Sequence, residues 1–224
     1  MLPASRKKLL ERLPDDASVL DVGGWGTPLH RADWVLDLMP YETRGLYGHP
    51  DPDPQRFDEE TWVVRDICDR EPWPFNDGQF GFAVCSHTLE DVRDPLWVCN
   101  ELQRVAAAGY VEVPSRLVEQ ALGVHGPWAG WSHHRWLIDI GEGVIQFVFK
   151  PHLLGEFGKH FVAGFAATLT PEQKVQTLWW EGAFVVSERI FLDDTLDDYL
   201  RAFVTAHAPL PTRARRRPWT KPRR

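Results

Sequence analysis

Two stretches, SVLDVGGWGTP (residues 18–28) and PWPFNDGQFGFAVCSHTLEDV (residues 72–92), decide the fold of this chain. Each contains a short apolar run, VLDV or FAVC, that gives way to glycines or polar residues. A short apolar run bounded in this way is typical of a strand buried on both faces of a parallel sheet. Similar runs occur at DWVLDL (33–38), TWVVRDIC (61–68) and GYVEVPS (109–115), so the pattern predicts five strands.

Helical segments separate some of these strands. Residues 5–13 have a short helical pattern, and residues 95–108 carry Leu96, Cys99, Leu102 and Val105 at helical spacing. Strands that alternate with helices and loops predict an α/β fold with an open, mostly parallel sheet and helices on both faces. In such a sheet the ligand binds in a crevice at the carboxyl ends of the strands.

A chain of 224 residues favours a single domain, which we place at residues 1–212. Residues 18–115 form the sheet core, and residues 116–170 are expected to be an insertion over its ligand-binding edge. VQTLWW and GAFVVSERI, separated by Glu181 and Gly182, are expected to form a hairpin, so residues 171–208 close the domain with that hairpin and a helix.

The charge is unevenly distributed. The chain carries 25 basic and 32 acidic residues, a net charge of −7. Residues 213–224 (RARRRPWTKPRR) hold seven basic groups and no acid, which leaves −14 on the rest of the chain. An acidic body argues against a nucleic-acid-binding domain. The tail is expected to be disordered, although contact with an anionic partner stays open.

Other features of the sequence bear on where in the cell the protein is expected. The sequence has no apolar stretch long enough to cross a bilayer, and its first residues lack the apolar segment of a signal peptide. Its three cysteines show no CxxC pairing, which favours a reducing cytoplasm. The sequence predicts no particular oligomeric state.

Acidic residues and glycines stand where the first three strands end. Asp21 and the glycines 23, 24 and 26 follow the first strand, and glycines at such a turn let a ligand approach the backbone closely. Asp37, followed by Leu38, ends the second strand, where a carboxylate can accept hydrogen bonds from both hydroxyls of a ribose. Capping of a nearby turn is the alternative role for Asp37. Asp66 and Ile67 form a polar and apolar pair suited to an adenine ring.

These segments together resemble class I S-adenosylmethionine-dependent methyltransferases, which have a Rossmann-like fold. The resemblance covers residues 18–115 and is most specific in PWPFNDGQFGFAVCSHTLEDV. It implies that S-adenosylmethionine is the cofactor, with its methionine end at Asp21 and the glycines. It also implies that Asp37 holds the ribose and that Asp66 and Ile67 hold the adenine. Ser86 and His87 then border the reacting methyl group.

The sequence departs from this family's pattern at two places. Trp25 stands where the second glycine of Asp-x-Gly-x-Gly-x-Gly is usual, and Asp91 stands where a histidine often follows the glutamate. Only residues 27–36 separate Gly26 from Asp37, too few for the usual helix between the first two strands. A Pro-containing loop is therefore expected to connect them.

The resemblance implies methyl transfer to a small-molecule acceptor, with oxygen as the expected acceptor atom. For a hydroxyl acceptor, His133 and His134 in GWSHHRW are the candidate general bases, because imidazole titrates near neutral pH. Packing within a Trp-rich loop is their alternative role. No metal site is expected, because His125, His133 and His134 lack convergent spacing and have no acid close in sequence.

Two other functions stay open at this point. The altered glycine loop allows an inactive S-adenosylmethionine-binding regulatory protein. The basic tail allows an RNA or protein methyltransferase, although CSHTLE stands where relatives that methylate amino groups carry an Asn-Pro-Pro-Tyr type motif.

Overall fold

A computed structural model describes residues 1–48 and 54–208 of the chain. The predicted basic tail, residues 213–224, lies outside the described residues. Nine strands and four α-helices are assigned in the described part: β1 Val19–Val22, β2 Trp34–Asp37, β3 Trp62–Val64, β4 Phe82–Ser86, β5 Ala108–Pro114, β6 Trp136–Gly141, β7 Val144–Phe149, β8 Val175–Glu181, β9 Val185–Glu188, α1 Pro3–Arg12, α2 Pro95–Val105, α3 Arg116–Glu119 and α4 Thr195–His207.

The main sheet has six strands in the order β3-β2-β1-β4-β5-β8. The first five are parallel, and β8 is antiparallel to β5. The order reverses at β1, since β2 and β3 extend to one side of it and β4 and β5 to the other. A crevice at such a reversal is where open α/β sheets bind their ligands.

Helices cover both faces of the main sheet, as predicted. Because side chains alternate along a strand, Val19 faces α1 while Leu20 and Val22 face α2. On the first face, Leu9 of α1 packs with Val35, Val84 and Tyr110, and all of them are buried. On the second face, the buried side of α2 consists of Val98, Cys99, Leu102 and Val105.

The predicted hairpin of residues 171–208 is wrong. β8 pairs along its whole length with β5, whereas β9 lies in a second sheet, of order β6-β7-β9, and runs parallel to β7. Gly182 has a φ of +72°, and its N–H donates to the carbonyl of Ala107, which fixes the turn at the start of β5 and sends the chain to the other sheet. The actual hairpin joins β6 to β7.

Several boundaries are narrower than the sequence pattern predicts. β3 ends at Val64, so Asp66 and Ile67 lie in the turn that follows the strand. α3 ends at Glu119, whereas the sequence pattern predicts a short helix over residues 116–122. A loop without a helix connects β1 to β2, as the short spacing predicts.

Two further observations concern the cysteines and the apolar character of the helices. Cys68, Cys85 and Cys99 are free thiols, and each is buried. Within residues 1–48 and 54–208, no helix combines the length and the apolar character that a membrane crossing requires.

Candidate functional site

Two adjoining cavities lie along the carboxyl ends of β1 to β4. The first, of about 330 Å³, is lined by the loop after β1 and by the ends of β2 and β4. The second, of about 340 Å³, shares Gly23 and Asp37 with the first and continues past β3. We call the two together the strand-end groove. All ten residues predicted for the cofactor line it: Asp21, Gly23, Gly24, Gly26, Asp37, Leu38, Asp66, Ile67, Ser86 and His87.

The glycines after β1 are required by close contacts. Gly23 has a φ of +74°, and a Cβ there would lie 2.1 Å from Oγ1 of Thr88. A Cβ on Gly24 would lie 2.3 Å from Oδ2 of Asp21. Trp25 lines the first cavity of the groove, and its indole N–H donates to the carbonyl of Thr43 at 2.8 Å.

Asp21 is a buried carboxylate at the base of the groove. Its Oδ2 accepts a hydrogen bond from the N–H of Leu29, at 2.8 Å. Burial raises the pKa of Asp21 to about 6, and the Leu29 hydrogen bond and the charge of Arg6 oppose that rise. Arg6 extends from α1 into the same cavity and donates to the carbonyl of Thr27 at 2.9 Å. The groove therefore places an acid and a guanidinium near each other.

Asp37 both caps the glycine loop and faces the groove. Its Oδ2 accepts from the N–H of Trp25 at 3.0 Å, and its Oδ1 accepts from the N–H of Met39 at 2.8 Å. Burial raises the pKa of Asp37, and these backbone hydrogen bonds oppose the rise. Each carboxylate oxygen has a second lone pair, so the carboxylate keeps capacity for a ligand.

Asp66 already has a basic partner. Its Oδ2 accepts from Nη1 of Arg93 at 2.5 Å, and its Oδ1 accepts from the N–H of Cys68 at 2.9 Å. Partial burial raises the pKa of Asp66, but the hydrogen bonds from Arg93 and Cys68 and the charge of Arg93 together outweigh this effect and lower the pKa overall. Ile67, next in the chain, is buried at the same end of the groove.

His87 lies between two buried glutamates. Its Nδ1 is 3.3 Å from Oε1 of Glu90, and its Nε2 is 3.2 Å from Oε1 of Glu112. Burial lowers the pKa of His87, yet the two carboxylates outweigh burial and raise it to about 9. Both ring nitrogens therefore donate at neutral pH, and His87 is a fixed cation rather than a base. Its backbone is also left-handed, with a φ of 54°.

A larger cavity, of about 650 Å³, adjoins the strand-end groove. We call it the side chamber. It shares Tyr47, His87 and Asp91 with the groove, so the two meet at these residues. Its other walls come from α3 and the loops that follow it, and they are lined by Val118, Val124, Trp131, His133, His134, Ala166 and Ala167 among others.

His134 is the better positioned of the two predicted histidines. Its Nδ1 lies 2.8 Å from Oε1 of Glu119, and Nζ of Lys150 donates to Oε2 of the same carboxylate at 2.6 Å. Because a carboxylate accepts, Nδ1 of His134 carries a hydrogen, so in the neutral form of the ring the lone pair lies on Nε2. The side chain of His134 is 8% exposed, whereas that of His133 is 57% exposed.

Asp91 brings an acid to these histidines from a distant part of the sequence. Its Oδ1 lies 3.8 Å from Nε2 of His134 and 4.0 Å from Nε2 of His133. The three residues each offer a ligand atom, and all three atoms lie within 4.8 Å of one another. The expectation of no metal site rested on the lack of an acid close to the histidines in sequence, whereas Asp91 reaches them from the segment that follows β4.

Sequence reasoning missed several residues of this site. Arg6 and Tyr47 come from α1 and from the loop after β2, neither of which carried a motif. Glu90 has no sequence signal beyond its place in PWPFNDGQFGFAVCSHTLEDV. Glu119 and Lys150 had no signal at all, because only the fold brings α3 and the end of β7 beside His134.

No family model matches this sequence, and no curated protein matches it either. Solved structures do match. One is a protein from Bacillus halodurans assigned as a methyltransferase, with 20% identity over 50% of this chain and 52% of that chain and a TM-score of 0.38. Another is a SAM-dependent methyltransferase from Aquifex aeolicus, with 19% identity over 55% of this chain and 68% of that chain and a TM-score of 0.37.

A third is the N-terminal domain of EvdMO1, crystallised with SAH and D-fucose, with 15% identity over 68% of this chain and 62% of that chain and a TM-score of 0.37. The chain thus spans about half the length of the first of these structures. With identities and TM-scores this low, the fold is assigned from the strand order itself. That order, with five parallel strands and an antiparallel β8, defines an open Rossmann-like α/β sheet.

Proposed function

We propose that this protein is an S-adenosylmethionine-dependent methyltransferase that acts on a small-molecule acceptor at oxygen. The observation that carries the proposal is the sequence of acids along one continuous groove: Asp21, then Asp37, then Asp66. An elongated nucleoside with an amino-acid end needs this order of partners. The strand order establishes the fold, and the reaction and its acceptor are what we propose.

The methionine end of the cofactor fits the part of the groove at Asp21 and Arg6. An amino-acid group carries one ammonium and one carboxylate, and this part of the groove offers one acid and one guanidinium. A ligand without the amino-acid end would make neither contact. The glycine backbone beside them leaves room for the chain between sulfur and Cα.

The nucleoside end fits the part of the groove between Asp37 and Ile67. Asp37 lines both cavities and is the acid positioned for the ribose hydroxyls. Leu38 and the buried Ile67 supply apolar surface for the two faces of an adenine, and Asp66 lies at its edge. The hydrogen bond from Arg93 leaves Asp66 able to accept one further donor.

The acceptor is assigned to the side chamber, which meets the groove at Tyr47, His87 and Asp91. Bound S-adenosylmethionine would supply a methyl group to the acceptor oxygen, with S-adenosylhomocysteine as the leaving group and the hydroxyl proton passing to a base or to water. The chain's task is alignment of the two reactants. A volume of about 650 Å³ and a mixed apolar and polar lining suit a small molecule.

The predicted general-base role of His134 or His133 stays a prediction. The free lone pair on Nε2 of His134 is compatible with it, since Glu119 orients the ring and would stabilise the imidazolium. The more exposed His133 lacks such a partner among the hydrogen bonds of the described residues.

Calorimetry with four adenosine ligands tests the proposal. S-adenosylmethionine and S-adenosylhomocysteine are expected to bind at a single site. Methylthioadenosine, which lacks the amino-acid end, is expected to bind more weakly because it makes no contact with Asp21 or Arg6, and NAD is expected not to bind. Tighter binding of NAD than of S-adenosylhomocysteine would overturn the assignment.

A further inference from the structure

We infer that Asp91, His133 and His134 form a binding site for a divalent first-row transition-metal ion at the junction of the strand-end groove and the side chamber. The inference deepens the proposed function and rests on it for its catalytic meaning, but the site itself depends only on the residues present. It replaces the sequence-based expectation that no metal ligands converge.

The distances between the three ligand atoms are close to those a bound ion requires. Bonds of about 2.1 Å at a tetrahedral ion place its ligand atoms about 3.4 Å apart. The Asp91 carboxylate lies 3.8 Å from Nε2 of His134 and 4.0 Å from Nε2 of His133. To bind an ion, these atoms must move a few tenths of an ångström closer together. Asp91 and His133 have room for this movement, because their side chains are 43% and 57% exposed.

The third ligand is held in place by the buried carboxylate of Glu119. Glu119 accepts from Nδ1 of His134, which fixes the tautomer with the Nε2 lone pair directed toward Asp91. Lys150 in turn anchors Glu119 and also donates to the carbonyl of Trp131 at 2.9 Å. A carboxylate on the far nitrogen of a histidine is the usual support of a metal-binding imidazole.

The surrounding charges favour a cation. The carboxylate of Glu90 is buried next to Asp91, and its Oε2 has no hydrogen-bond partner. Glu119 adds a further carboxylate, while Lys150 and the protonated His87 supply the opposing positive charge. With Glu112 and the Met1 ammonium included and Asp91 ionised, four carboxylates face three cations, and this excess of negative charge favours a bound cation.

The ligand types indicate which ion binds. Two imidazoles and one carboxylate suit Zn²⁺, Fe²⁺, Co²⁺ or Mn²⁺ and leave at least one coordination position open, whereas Mg²⁺ and Ca²⁺ prefer oxygen ligands throughout. The same three residues line the side chamber, so an ion that they hold would be accessible to an acceptor there. An acceptor hydroxyl bound there would lose its proton to water more readily, since a metal ion lowers the pKa of bound oxygen.

The test uses the full chain, stripped with a chelator and titrated with Co²⁺, whose visible absorption reports its ligand geometry. A single saturable site with the spectrum of a nitrogen- and oxygen-bound ion is expected, with Zn²⁺ displacing Co²⁺. Asp91→Asn keeps the shape of an exposed side chain and is expected to abolish that spectrum. Glu119→Gln is expected to weaken binding roughly 10- to 100-fold while the spectrum persists.

His125→Ala is the matched control. His125 lies in the same loop and stacks on Trp131 with ring centroids 5.2 Å apart, but it is not among the three ligands. It should bind Co²⁺ as the unaltered chain does. Equal binding by the unaltered chain and Asp91→Asn, or loss of binding in His125→Ala alone, would overturn the site.

Calorimetry with S-adenosylhomocysteine on the same samples separates this inference from the proposed function. Co²⁺ binding without S-adenosylhomocysteine binding would support the metal site and contradict the methyltransferase. The converse result would contradict the metal site and leave the Nε2 lone pair of His134 to serve as the predicted base.

Discussion

The backbone N–H of Trp25 donates a hydrogen bond to Oδ2 of Asp37, at 3.0 Å. This contact joins the loop after β1 to the end of β2, across the opening of the strand-end groove. It explains how the loop keeps its shape with Trp25 in place of a glycine, because the contact uses only the backbone of Trp25. The capping and ligand-binding roles of Asp37 are therefore compatible.

The conformation at Gly23 leads to a first prediction. Gly23→Ala places a Cβ against Oγ1 of Thr88 in a left-handed backbone, so it should both destabilise the fold and lower affinity for S-adenosylhomocysteine. Gly78→Ala is the control, because Gly78 also has a positive φ, +64°, but has open space around its Cβ position. Gly78→Ala should cost only the backbone strain of about 1–2 kcal/mol. Equal losses of affinity in both variants, measured by calorimetry, would contradict this account of the loop.

A second prediction concerns the pH dependence of cofactor binding. Burial raises the pKa of Asp21 to about 6, so the carboxylate is neutral below that pH and charged above it. The ammonium of S-adenosylhomocysteine stays protonated through this range, so affinity should rise with pH up to about 6 and then level off. Affinity for methylthioadenosine, which has no ammonium, should not follow this profile.

Asp21→Asn should remove the pH profile for S-adenosylhomocysteine and lower its affinity at neutral pH. The measurement is calorimetry at intervals between pH 5 and pH 8, with the fold checked by circular dichroism at each pH. A profile unchanged in Asp21→Asn would show that another group titrates in this range.

His87 gives a third prediction, on stability. The carboxylates of Glu90 and Glu112 outweigh burial and the nearby Met1 ammonium and raise the pKa of His87 from 6.5 to about 9. The stabilisation this provides is therefore complete below pH 6.5 and is lost as the pH rises through 9. The free energy of unfolding should fall across that interval.

His87→Gln should flatten this dependence, whereas His152→Gln, at an exposed histidine, should leave it unchanged. Chemical denaturation at several pH values between 6 and 10 measures the difference. A slope that survives in His87→Gln would assign the loss of stability to other groups.

Much of the fold was predictable because it depends on local patterns. The apolar runs that became β1, β2, β4 and β5 are bounded by residues that end strands, and the pairing of parallel strands follows from their order. The pairing partners of β8 and β9 were not predictable from local patterns. An antiparallel pair and a chain that changes sheets at Gly182 have the same local sequence pattern.

The residues of the site were likewise predictable only where they depend on local sequence patterns. The ten predicted groove residues lie near the carboxyl end of a strand or in the loop that follows it, and these strand ends meet at one edge of a parallel sheet. Glu119, Lys150 and Asp91 join His134 from three separate elements, so only tertiary packing shows that they belong together. Arg6 also reaches the groove through tertiary packing, because α1 packs on one face of the main sheet.

One pair of variants tests the central claim most directly, since Asp33 and Asp37 stand at opposite ends of β2. Asp33 accepts from the N–H of Val19 and lies away from the groove, whereas Asp37 lines both of its cavities. The measurement is calorimetric affinity for S-adenosylhomocysteine in the unaltered chain, Asp37→Asn and Asp33→Asn. With about 1.5–3 kcal/mol for each charge-assisted hydrogen bond, Asp37→Asn should lower affinity roughly ten- to hundred-fold per bond lost, and Asp33→Asn should leave it unchanged. Absence of binding by the unaltered chain, or full affinity in a folded Asp37→Asn, would contradict the account.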